Sequence, residues 1–247
     1  MPPLKVVSSS PSPEECLREA LQAESPSLRA SFAEQGLATE GDLEPDTEVL
    51  LLRQLYLARL DTHRFRDAAD IALRMTRLGP LKDVAHHDAS RAFAALGDLD
   101  EAISQQRLAA RAAPPDRRSF QWWSLATLLQ HGDRRDAAIR ALRRGERWAH
   151  EDRPLLRAHR AWLRLEAGQV PSQLESICDE LERSRGGKGY GQLVLGMIRH
   201  RLGDPRRAAV HLRAFLRRNA SADHAKAITL REELRCARET LAVIESD

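Results

Sequence analysis

The sequence predicts an all-α fold, a solenoid of stacked antiparallel helical hairpins, on three observations. A short phrase recurs along the chain, first as Ala95-Leu96-Gly97-Asp98-Leu99-Asp100-Glu101-Ala102-Ile103. It returns at residues 131–139 and 202–210, each time as Gly-Asp followed by a pair of Ala, with a fainter copy at residues 62–70. The first Ala of each copy (Ala68, Ala102, Ala137, Ala208) gives intervals of 34, 35 and 71 residues, the last close to two repeats. A period near 34 is the mark of a helical-hairpin array. The composition agrees: the chain is 42% hydrophobic but only 4% aromatic, so its core is built from Ala and Leu. Charged residues make up 30%, helix formers dominate and runs of β-branched residues are nearly absent.

The residues inside one period carry a family resemblance. With the marker Ala at the twentieth place, residues 83–116 put Ser90 at a small eighth place and Phe93 at an aromatic eleventh. They also put Ala109 at a small twenty-seventh place and Pro114 at the close. This pattern resembles the tetratricopeptide repeat (TPR). Residues 49–82 fit with Ala68 and Pro80, although Tyr56 fills the small place; residues 120–151 fit at Gly132 and Ala137; residues 189–222 fit at Gly196, Gly203 and Ala208. Residues 154–187 match poorly, because Gly168 holds the turn but Gln173 replaces the marker Ala. The resemblance covers about residues 49–222 and implies a right-handed TPR-like solenoid. Its physical basis is packing: small residues let paired helices approach, and a lone hairpin cannot cover its apolar face, so neighbours stack.

Taken in order, residues 1–11 are rich in Pro and Ser and are expected to be disordered. Ser12-Pro13-Glu14-Glu15 reads as a capping box opening a short helix through Leu17, Ala20 and Leu21. Ser25-Pro26 opens a second helix through Leu28 and Phe32, closed by Gly36; this hairpin, residues 12–46, lies outside the repeat register and reads as a cap or a decayed repeat. Gly41 and Pro45 break the chain before about five hairpins over residues 47–221. Residues 222–247 place Ile228, Leu230, Leu234, Leu241 and Ile244 on a helical period, as a terminal capping helix requires, with one face on the last repeat and one in water.

Charge is uneven. The net charge is +3, but residues 107–164 carry fourteen Arg against six acids, while the first 48 residues are acidic. Only four of the 39 basic residues are Lys, which points first to coding bias. Arg140, Arg143, Arg144 and Arg147 fall on one helix face and read as a solvated surface; the alternative is a nucleic-acid or other polyanion site, which the small overall charge disfavours. No apolar run approaches the roughly 20 residues that span a bilayer, and the first residues lack a secretory signal, so the cytoplasm is the expected compartment.

Chemistry finds little support in the sequence. Cys16, Cys178 and Cys236 are odd in number and far apart, with no Cys-x-x-Cys, so neither a disulfide framework nor a zinc site is indicated. His86 and His87 are adjacent and diverge on a helix. Residues 185–191 are rich in Gly, but Glu182 stands where a phosphate loop needs Gly, so this stretch reads as a flexible connection. No nucleophile elbow surrounds any Ser. No cofactor, metal or catalytic residue is expected, and the chain is read as no enzyme.

The resemblance implies instead an adaptor or scaffold that takes a peptide or helical segment of another protein in an open concave groove lined by the first helix of each hairpin. Carried over, it assigns Arg53 and Leu57 from the first unit, His87 and Arg91 from the second, and Trp122 from the third. The fourth supplies Trp162, and the fifth Tyr190, Met197 and His200. Aromatic and Arg side chains are the usual interface anchors. The family's carboxylate clamp is broken here by Leu57 and Asp88, so no such co-chaperone role is expected. Self-association stays open.

Overall fold

The computed structural model describes residues 11–39, 42–220 and 224–246. The tail expected to be disordered lies, apart from Pro11, outside the described residues. Among them every regular element is helical. The first hairpin is α1 (Pro13–Gln22) and α2 (Pro26–Leu37). Five hairpins follow: α3 (Pro45–Asp61) with α4 (Phe65–Met75), α5 (Lys82–Leu96) with α6 (Leu99–Ala112), and α7 (Pro115–His131) with α8 (Arg135–Glu146). The last two are α9 (Arg153–Glu166) with α10 (Leu174–Arg183), and α11 (Gly191–Arg201) with α12 (Pro205–Asn219). The chain closes with α13 (His224–Thr229) and α14 (Arg231–Ser246). From α1 to α12 each helix packs on the next.

Local chemistry explains the boundaries. The Ser12 hydroxyl accepts the Glu15 N–H while the Glu15 carboxylate accepts the Ser12 N–H, so the capping box is formed. Gly97 (φ 84°) and Gly203 (φ 74°) end α5 and α11 in the left-handed region, and Asp98 and Asp204 then cap the next helix by accepting the N–H of Glu101 and Arg207. Two breakers behave differently from expectation. Gly36 lies inside α2, where its missing Cβ makes room for Leu51 (2.9 Å) and Cys16 (3.0 Å); Pro45 is the first residue of α3, a place where a missing N–H costs nothing. Residues 185–188 form a tight 3-10 turn rather than a loose connection: a Cβ at Gly187 would stand 2.1 Å from the Leu181 carbonyl oxygen. The expected single C-terminal helix is broken at Leu230 into α13 and α14.

The third unit is one residue out of the expected register. Ala68, Ala102, Ala138 and Ala208 each donate their N–H to the capping residue four before them (Arg64, Asp98, Arg134, Asp204), and all four are fully buried. The equivalent of Ala102 is therefore Ala138, whereas Ala137 is half-buried. The reason lies in the turn: here Asp133 (φ 54°), not Gly132, takes the left-handed conformation, which Asp tolerates better than most residues. Polar contacts between units step by the same period. Arg53 reaches Asp88 (3.1 Å), Arg117 holds Asp83 through two hydrogen bonds (2.9 and 2.8 Å), and the Ser119 hydroxyl donates to Asp152 (2.6 Å).

The register has a direct check. Ala138→Glu forces a charge between closely packed helices and is expected to cost about 3 kcal/mol or more, lowering the melting temperature by roughly 6–12 °C. Ala137→Glu is expected to stay within about 0.5 kcal/mol. Thermal unfolding followed by circular dichroism checks both; equal losses would return the register to Ala137.

Candidate functional site

The C-terminal segment defines the site. After α12 the chain returns across the stack, so that α13 touches α3 and α5 while α14 packs on α11 and α12. We call the face so covered the inner face. It is not the open groove expected from the sequence; the chain's own end lies in it.

Aromatic rings run along this face from unit to unit. His87 on α5 meets Phe120 on α7 (5.3 Å between centroids), Phe120 meets Trp123 (6.0 Å), and Trp123 meets Tyr190 edge-on at 4.7 Å. Tyr190 lies just before α11 and also approaches His159 of α9 (6.0 Å) and Phe215 of α12 (6.3 Å); His159 stacks on Trp162 at 5.3 Å. Phe120 remains 44% exposed, unusual for a ring in such a row.

Polar anchors hold the C-terminal segment to this row. Arg91 donates two hydrogen bonds to the Thr229 hydroxyl of α13 (3.0 and 2.7 Å). Glu233 of α14 is buried, with one carboxylate oxygen 3.5 Å from both the Tyr190 hydroxyl and His131 Nε2. Its other oxygen finds no hydrogen-bond partner among the described residues, nor does Trp123 Nε1. Burial pushes the Glu233 carboxyl above its ordinary range, with His131 opposing, and burial also pushes the Tyr190 phenol well up. The Thr240 hydroxyl sits 3.6 Å from the Met197 sulfur, and Arg213 pairs with Glu245 (2.8 Å). Beneath α14, Leu234 and Ala237 join Trp162, Leu193, Met197 and Phe215 in one apolar cluster.

The expected site residues do not all fall in one place. Arg91, Tyr190 and Met197 touch the C-terminal segment directly. His87 and Trp162 belong to the ring row; His87 is half-buried, with Nδ1 2.9 Å from the Gln106 amide oxygen and a protonation equilibrium pushed down by burial. Arg53 and Leu57 lie on α3: Arg53 is taken up by the buried Asp88 carboxylate, and Leu57 packs against the α3–α5 core. His200, near the end of α11, is half-buried. Trp122 is the correction. It is buried in the core shared by α7 and α8, where its Cβ crowds Gly145 and Arg144 stacks over its ring (5.1 Å). The one-residue register shift moves Phe120 and Trp123 to the inner face in its place.

Sequence reasoning missed Phe120, Trp123, His159 and Glu233. Counting from the buried Ala138 instead of Ala137 would have found the first two. His159 is fully buried, its Nε2 donates to Gln130 Oε1 (2.7 Å), and burial pushes its pKa down to about 3. Among the described residues no group of His, Cys, Asp and Glu is arranged to hold a metal, and no helix is long and apolar enough to cross a membrane. Comparison with protein-family models and with curated proteins gives no match, so the reading of this face rests on its geometry.

His159 supplies a pH prediction. Its native pKa of about 3 lies below the ordinary value of 6.5, so between these values only the unfolded chain takes the proton. Stability is then whole above pH 6.5 and falls as the pH drops, by up to about 1.4 kcal/mol per unit. His159→Gln keeps a partner for Gln130 and removes the titrating group. Denaturant unfolding of both chains from pH 7 to 4 is expected to show a shallower slope for the variant; parallel slopes would place the imidazole in water.

Proposed function

We propose that this chain is a non-enzymatic adaptor, a TPR-like right-handed solenoid whose concave inner face binds an amphipathic helical segment of a partner protein, in the cytoplasm. One observation carries the reading: that face already seats an amphipathic helix, α14, through Tyr190 and Met197, with Arg91 holding the short α13 ahead of it. A row of rings with Arg at its end is the composition of interface anchors, and a helix laid in an apolar groove is a recurrent mode of peptide recognition. The half-exposed Phe120 lies between His87 and Trp123 in the row, and an incoming segment would gain by covering it.

The test is a photo-cross-linking amino acid at Phe120, and at Arg143 as an outer-face control, in chains expressed in the native cell. Cross-links from position 120 to a helical segment of another protein, absent from position 143, are expected. No intermolecular cross-link at 120, or the same one at both positions, removes the adaptor reading.

One observation favours a second reading. Arg107, Arg111, Arg140, Arg143, Arg144 and Arg147 are all exposed and make no ion pair among the described residues, although most other Arg side chains do. All six lie on or just after α6 and α8, whose starts are tied by the Arg134–Asp100 ion pair and whose ends are bridged by Arg118, which donates to the Ala113 carbonyl while lying over Trp148 (4.3 Å). Such a patch suits a polyanion. Retention on heparin with a salt slope reduced by about two charges in Arg143→Glu/Arg147→Glu would support it; an unchanged slope would leave the patch as solvated surface.

A further inference from the structure

We propose that α13 and α14 are a resident ligand of the inner face, and that a partner gains the face by exchange, presenting an amphipathic helix of the same chemistry. That chemistry is an apolar stripe spaced as Leu234, Ala237, Leu241 and Ile244, with a carboxylate beside its first member and a hydroxyl ahead of it. The inference rests on the adaptor reading for the partner, but not for the resident helix, which is on the inner face already.

Three observations support exchange over a permanent seat. First, α14 buries only Glu233, Leu234 and Ala237 fully, whereas its neighbour α11 buries residues on all its sides. Second, one of those three is a carboxylate with one oxygen left unpaired, and the contacts of the other to Tyr190 and His131 are long, at 3.5 Å. An unsatisfied buried acceptor works against the state that buries it. A helix that satisfied this oxygen's site, or placed an apolar atom there, would bind better than the resident does. Third, Leu234 and Ala237 belong to the same apolar cluster as Trp162, Leu193, Met197 and Phe215, and Thr240 sits on Met197, so removing the segment without a replacement would open that cluster to water. The face therefore exchanges occupants instead of standing empty. Arg91 and Thr229 extend the seat to the far end of the stack, so the resident segment spans from the first repeats to the last.

The test uses the full chain and a fluorescent synthetic peptide of residues 224–246 as the probe. In the parent chain the tethered segment competes at high local concentration, so the peptide binds weakly. Leu234→Asp undocks the resident helix, and the peptide is expected to bind this variant at least tenfold more tightly. A peptide carrying the same substitution is expected to show no binding to either chain. Equal affinity for parent and variant, with helical content retained, overturns the proposal. Should the variant lose its helical content, hydrogen exchange of the unaltered chain decides. Amides of α14 are expected to exchange at least a hundredfold faster than those of α11, and equal protection overturns the proposal. An absent cross-link at Phe120 beside positive peptide binding would fail the adaptor reading alone; cross-linking without peptide exchange would fail only this inference.

Discussion

The stack depends on one methyl group per hairpin. In four of the repeating hairpins a residue in the left-handed conformation ends the first helix, and five residues later comes an alanine with no exposed surface: Ala68, Ala102, Ala138, Ala208. A methyl at that place takes little room, so the paired helices can pack closely over it. Glycine does the same at other crossings. A Cβ on Gly145 would stand 2.7 Å from Leu156, and one on Gly196 would stand 2.7 Å from Leu212. Rings do not fit such contacts. Four of the eleven Phe, Trp and Tyr residues, Phe120, Trp123, Trp162 and Tyr190, instead form a row between units, which His87 and His159 join.

Neutral polar pairs set the register of that row. His86 meets Gln105 (2.7 Å), Gln106 joins His87 to Gln121, and Gln130 meets His159, each pair crossing between helices. Imidazole and amide groups satisfy one another without burying charge, so they specify alignment at little desolvation cost. The charged pairs keep to places where one partner stays wet: Arg117 is 42% exposed above the buried Asp83, and Arg53 is 36% exposed above Asp88. Glu233 breaks this habit, being a buried carboxylate delivered by a helix outside the repeat.

The hairpins were legible because side-chain size recurs locally, and a caliper of 34 residues needs no tertiary knowledge. The slip at Ala137 had a local cause too. Two alanines stand side by side there, and the choice between them depends on whether Gly132 or Asp133 turns left-handed, a matter the two residue names do not decide. That slip alone exchanged Trp122 for Trp123. The apolar stripe of the last helix was also legible, and Leu230, Leu234, Leu241 and Ile244 do face the terminal core. Its reach to Arg91 was not, because the place where the end of a stack meets its beginning sums small rotations over every unit. No short motif encodes such a sum.

The contacts of α14 also show what kind of segment fits the inner face. Glu233, Leu234, Ala237, Thr240, Leu241 and Ile244 all meet the stack, and their spacing follows successive helical turns. An extended strand would turn alternate residues the same way, so a face matched to these places would meet the wrong side chains after two steps. At 1.5 Å per residue the helix runs about 24 Å, enough to cross neighbouring units and to be aligned by polar contacts at either end. Its polar contacts stand at its two ends, Glu233 beside Tyr190 and Glu245 on Arg213, so a helix of this length keeps its apolar stripe on the terminal core between them, while the separate short helix α13 carries Thr229 to Arg91.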